Sequence, residues 1–158
     1  MTEARTTDAA ASPTVSETLA RMDEAWSAFH GRVTSLPTEQ LEPRIGGDGW
    51  TRKQMLAHIG TWHDLTVERL GRFAESGEPA ELAEHEDAIN ARAARAAEGR
   101  TTGEILLGMA DSYRRLRRAV GTLSEAQIAA HDGGAAAVIA GNSFGHYAEH
   151  RPDLDQKR

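Results

Sequence analysis

The chain has 158 residues, with 18 basic and 24 acidic side chains, a formal net charge of −6 and 7 histidines. This length suits one domain with a sizeable core, and the acidic balance argues against a nucleic-acid binder, whose phosphate contacts need a basic surface. Cysteine is absent, which excludes disulfides, thiolate ligands and a cysteine nucleophile, so any bound metal must rest on His, Asp or Glu.

Residues 1–13, MTEARTTDAAASP, read as a polar, disordered lead-in without the apolar segment of a signal peptide. No later run approaches the roughly eighteen apolar residues of a membrane span. The expectation is a cytoplasmic protein folded over residues 14–158. A first helix is expected from Val15 to Leu36, because Val15, Leu19, Met22, Trp26, Phe29, Val33 and Leu36 recur at steps of four and three. Pro37 should end it. The Gly- and Pro-rich LEPRIGGDGW reads as a loop.

Thr51 with Gln54 forms a capping box that opens a second helix. Its apolar face is Met55, Ile59, Trp62, Leu65, Leu70 and Phe73, and it frays near Gly77 and Pro79. His58 falls on that face and His63 off it. A long connection follows with its own short helix, about Glu84 to Glu98, acidic at the start and basic later, as the helix dipole favours. Such a connection can carry the chain across the bundle and leave the second and third long helices parallel. Thr101 and Glu104 cap the third long helix, whose stripe is Ile105, Met109, Tyr113, Leu116, Val120 and Leu123. Arg114, Arg115, Arg117 and Arg118 read as a solvated cationic end. A fourth helix should run from Ala136 to Arg151 after Gly133 and Gly134, ending or kinking just past His150 because Pro152 follows. Gly141 and Gly145 would admit a close neighbour. SLPTEQL (35–41) and TLSEAQI (122–128) echo one another, as if two similar helical hairpins made the bundle.

No segment alternates with period two for long, so the fold class is all-α, a four-helix bundle. The chemistry gathers on the last helix. His146 and His150, four residues apart, leave one helix face about one turn apart and can share a divalent metal if a third ligand arrives. The best third ligand is the inward His58. Three histidines with an open fourth position are the pattern of a catalytic metal site, whereas a structural zinc is closed by a fourth ligand. The zinc-protease HEXXH pattern is absent, since Tyr147 follows His146, and Glu149 turns about 100° away from His150.

GWTRKQMLAHIGTW, DAIN at Asp87–Asn90 and NSFGHYAEH together resemble the DinB-like four-helix bundles, which include mycothiol-dependent maleylpyruvate isomerase N-terminal domains and ClbS/DfsB-type proteins. The resemblance covers nearly the whole chain after the lead-in. It implies an up-down-down-up bundle, often a homodimer, often with bound zinc or nickel, and it puts His58, His146 and His150 on the ligand positions. It also implies a low-molecular-weight thiol such as mycothiol as cosubstrate, with bacillithiol and glutathione equally open, for transfer or isomerisation of a small electrophile. Asn90 and Tyr147 are candidates to orient that substrate. The alternative is a binding or hydrolytic self-resistance protein of the ClbS type, with Trp62 and Tyr147 as the wall beside His58. No membrane or nucleic-acid partner is expected.

Overall fold

The computed structural model describes residues 11–45, 49–78 and 81–156. They form α1 (Val15–Thr34), α2 (Arg52–Ser76), α3 (Glu86–Glu98), α4 (Thr102–Gly121), α5 (Glu125–Gly141) and α6 (Phe144–Asp155), with a 3-10 turn at Thr38–Gln40. Among the described residues no strand occurs, only an isolated bridge between Arg44 and Thr51. The all-α expectation is met. Most of the expected lead-in (residues 1–10), Gly46 and Gly47 of the expected loop, and Pro79 lie outside the described residues.

Capping chemistry sets where the helices begin. Thr51 with Gln54 and Thr101 with Glu104 each make the reciprocal bonds of a capping box. Thr14 with Glu17 and Ser124 with Gln127 do the same for α1 and α5. α1 stops at Thr34, short of Leu36 and Pro37, where the Ser35 N–H bonds to Gly31 O at 3.1 Å. α3 begins at Glu86, later than Glu84, because the ring of His85 accepts from the Asp87 N–H. α2 closes on Gly77, whose φ of 73° suits a residue without a Cβ.

α2 is the central helix. It packs chiefly on α4, and also on α3, α5 and α6. Met55, Ile59, Trp62, Leu70 and Phe73 are buried as the stripe predicts, but so are Arg52, Lys53, Gln54, Gly60, His63 and Thr66. With partners on several sides, the first half of the helix is buried almost all round, while Asp64, Glu68, Arg72 and Glu75 form an outer face further on. The core is completed by Met22, Phe29 and Val33 of α1, the whole α4 stripe, Ile128, Ile139 and Leu154. Each such aliphatic or aromatic side chain contributes about 1.5–3 kcal/mol on burial.

The expected single fourth helix is corrected in three ways. A helix already opens at Glu125, at the TLSEAQI echo of the earlier SLPTEQL segment, which instead forms only the 3-10 turn. That helix breaks at Ala130–Gly133, in keeping with the Gly133–Gly134 loop expected before Ala136; His131, Asp132 and Gly133 take φ of 52°, 53° and 74°. The left-handed region costs a non-glycine residue about 1–2 kcal/mol, and a hydrogen bond from His131 to Gly77 O and its edge contact with Phe73 hold it there. A second break at Asn142–Ser143 separates α5 from α6. There a Cβ on Gly145 would lie 2.8 Å from Ala140 O, so glycine lets α6 start against the end of α5. Gly141, by contrast, faces open space.

α6 also continues through Pro152 to Asp155. The buried Arg52 guanidinium donates to Asp153 O (2.9 Å), Gln156 O (2.8 Å) and Gln40 O (2.9 Å). Arg32 donates to Asp155 Oδ1 and Leu154 O. These bonds gather the last turn and outweigh the proline's local preference. The arginines of α4 are not a bare cationic end, because Arg114, Arg115 and Arg117 pair with Asp111, Asp64 and Asp23. Among the described residues no helix is long and apolar enough to cross a membrane.

Candidate metal centre

Helix spacing places His146 and His150 on one side of α6, and α2 brings His58 to meet them. His58 Nε2 and His146 Nε2 are 2.8 Å apart, and one ligand atom from each of the three rings falls within 4.8 Å of the others. Ring centroids are 4.7 Å apart for His58 and His146, 5.3 Å for His58 and His150, and 4.9 Å for His146 and His150. Trp50 and Trp62 flank His58, at centroid distances of 5.1 and 6.4 Å.

Burial keeps the rings of His58 and His146 neutral. Burial, then repulsion from His150, lowers His58 to a pKa of about 4, with Asn90 opposing. Burial, then the neighbouring His58, His150 and His63, lowers His146 to about 3. A neutral imidazole is the form that binds metal. The His150 ring is aligned by Asp153, whose carboxylate lies 2.9 Å from Nδ1. A carboxylate at that position accepts from an Nδ1–H, the usual outer support of a metal-bound histidine.

The donor set fits a divalent ion. A proton shared between His58 and His146 serves only two of the three converging rings, whereas an ion accepts a lone pair from all three. Tetrahedral coordination with bonds of about 2.1 Å needs nitrogens about 3.4 Å apart, which lies between the 2.8 Å of His58 and His146 and the 4.8 Å that spans the cluster. One element of support is incomplete. The Nδ1 atoms of His58 and His146 are buried with no hydrogen-bond partner among the described residues.

The rings of His58 and His146 border a cavity of about 360 Å³, also lined by Trp62, Arg69, Glu86, Asn90, Asn142 and Glu149 and by Ala137, Val138 and Gly141 of α5. Of the residues singled out from sequence, His58, His146, Trp62 and Asn90 line it, with His150 beside them in the cluster. Trp62 Nε1 donates to Asn90 Oδ1 at 2.8 Å. Tyr147 is a correction. It is not among the cavity-lining residues; its hydroxyl meets His63 Nε2 at 2.7 Å inside the core, and His63 Nδ1 lies 2.8 Å from Ser112 Oγ. A residue next to a helical ligand points about 100° away from it, and here that direction is the core. His63 also turns inward, fully buried, with its pKa lowered to about 3 by burial and then by Arg115. Sequence reasoning missed Asp153, although its place three residues after His150 is a legible signal. Glu149, read from sequence as turned away from His150 to the surface or behind the ligands, lines the cavity.

The fold is all-helical, and three converging imidazoles beside a polar cavity form a cluster that could hold a metal ion. The sequence matches the DinB superfamily over residues 21–151, and the chain belongs to that superfamily. Two solved structures share the fold. One, described as "Sibling Lethal Factor Precursor - DfsB", has a TM-score of 0.74 and 16% identity, over 90% of this chain and 93% of that one. The other, a structural-genomics protein from Streptococcus pneumoniae, has a TM-score of 0.73 and 10% identity, over 90% and 89% of the two chains. No curated protein matches the sequence.

Proposed function

We propose that this chain is a divalent-metal-dependent enzyme, a transferase or isomerase that uses a low-molecular-weight thiol against a small electrophile. What carries the reading is the meeting of His58, His146 and His150 at the edge of an accessible cavity. A zinc or nickel ion bound there would stabilise the thiolate of an incoming thiol and bring its pKa into the working range.

The chain's own residues do the rest. The His58 and His146 imidazoles stay neutral at neutral pH, so their lone pairs are available. Asp153 fixes the ring of His150. Trp50 and Trp62 shield His58 from water on two sides. The Glu149 carboxylate, on the cavity wall, is placed to take up the proton that the thiol sheds. Asn90, held by Trp62, faces the bound substrate.

The test is metal analysis followed by a thiol panel. Purified protein should carry close to one zinc or nickel per chain, and His146→Ala should lose it while keeping its helical circular dichroism. Native protein that is metal-free and also refuses added zinc and nickel would overturn the reading. If metal binds but no thiol accelerates adduct formation while a reactive ester is hydrolysed, the centre stays and thiol transfer falls. A sequestering protein of the ClbS/DfsB type would bind its small molecule equally well without the metal ligands.

A further inference from the structure

The cavity beside the histidines carries two side-chain amides whose orientations the protein itself fixes. Asn90, on α3, accepts from the Trp62 indole through Oδ1 at 2.8 Å. An indole N–H can only donate, so the amide cannot be turned round, and Nδ2 is the atom left over. Asn142, at the end of α5, donates from Nδ2 to the Val138 carbonyl at 3.1 Å. A carbonyl can only accept, so here the atom left over is Oδ1. The two amides therefore present opposite polarities to one cavity, a donor from α3 and an acceptor from α5. Neither leftover atom is among the buried unpartnered atoms, which within the described residues are the two histidine Nδ1 atoms. Both side chains line the cavity.

We propose that Asn90 and Asn142 form a subsite for a secondary carboxamide, so that the substrate or cosubstrate carries an amide beside its reactive end. The inference rests on the reading of this cavity as the substrate site. In a trans amide the C=O and N–H point in opposite directions. Asn90 Nδ2 would donate to the ligand's carbonyl, and Asn142 Oδ1 would accept its N–H. An ester of the same shape keeps the first bond and sets an ester oxygen against Asn142 Oδ1, acceptor against acceptor. A hydroxyl offers a single atom where the cavity offers two fixed partners on two helices. Hydrogen bonds of fixed polarity discriminate more strongly than apolar contacts, because a mismatched ligand leaves a desolvated group unpaired. The site lies one side chain from the metal cluster, since Trp62 contacts both His58 and Asn90.

The experiment uses probes that have no thiol and need no metal: N-acetyl-S-methylcysteamine, its isostere 2-(methylthio)ethyl acetate, and 2-(methylthio)ethanol. Each is titrated into the full chain, with the Trp62 indole N–H resonance as reporter. The chain has 3 tryptophans, so that signal is assignable. The amide should bind about tenfold more tightly than the ester or the alcohol, the effect of one hydrogen bond made against one left unpaired. Asn90→Asp keeps the acceptor for Trp62 and turns the donor facing the cavity into an acceptor. It should weaken amide and ester alike by about tenfold. Asn142→Leu should erase the preference for amide over ester. If that variant fails to fold, Asn90→Asp decides alone. Equal affinity for the three probes, or unchanged binding in Asn90→Asp, would overturn the inference. A metal-binding chain indifferent to the amide would keep the centre and lose the subsite, whereas a metal-free chain that still prefers the amide would keep the subsite.

Discussion

Arg52 is the most informative residue to remove from the scaffold. It is 5% exposed, and its guanidinium donates to three backbone carbonyls, those of Asp153, Gln156 and Gln40. Two belong to the C-terminal end of α6, where carbonyls lack helical partners and the dipole favours a cation. Charge-assisted hydrogen bonds contribute about 1.5–3 kcal/mol each, so a simple sum reaches about 4.5–9 kcal/mol. That overstates the loss, because carbonyls near the chain's last residues regain water once the side chain is gone. Arg52→Ala should therefore cost about 3–4 kcal/mol, including the lost packing of the aliphatic stem. For a chain of this length that is a fall of about 10 °C in Tm. Arg52→Lys keeps the charge but cannot span three acceptors, and should cost about 2 kcal/mol. Urea unfolding followed at 222 nm measures both. A cost below about 1 kcal/mol for Arg52→Ala, or wild-type stability in Arg52→Lys, would refute the claim that this fork holds the last turn of α6.

The other expectations concern the core and the centre. His63 titrates near 6.5 unfolded and at about 3 folded; between those values the unfolded chain binds the extra proton, so its stabilisation is complete above about pH 6.5 and falls as pH drops, by about 1.4 kcal/mol per unit. Unfolding free energies at several pH values should show that slope reduced by about one proton in His63→Gln. Tyr147→Phe removes the hydroxyl partner of a buried ring and should cost about 1–3 kcal/mol in urea unfolding, with no change in metal content, since Tyr147 lies off the cavity. Asp153→Ala frees the ring of His150 and should weaken metal affinity about 10–100-fold, measured by competition with a chelator, with the fold retained.

The sequence by itself determined the helices that have one wet face. The α4 stripe is buried throughout and the α1 stripe is buried at Val15, Met22, Phe29 and Val33, with Leu19 and Trp26 half-buried against the core, and the capping boxes at Thr51 and Thr101 mark true starts, because both signals are local. The histidine cluster was legible for the same reason: helix spacing joins His146 to His150, and the inward face of α2 offers His58. What the tertiary structure alone decided lies where several partners meet. His63 was misplaced because a one-sided wheel cannot describe α2, which is covered on several sides. The break at Asn142–Ser143 carries no strong local signal, whereas Gly133 and Gly134 announce the first break, which contacts of His131 to Gly77 and Phe73 hold in place. Pro152 stays helical because Arg52, a hundred residues earlier in the chain, collects the carbonyls around it. Periodicity records which face of a helix is dry; which side chain crosses the interior to meet another depends on how the helices dock, and the spacing of residues along one chain does not contain that.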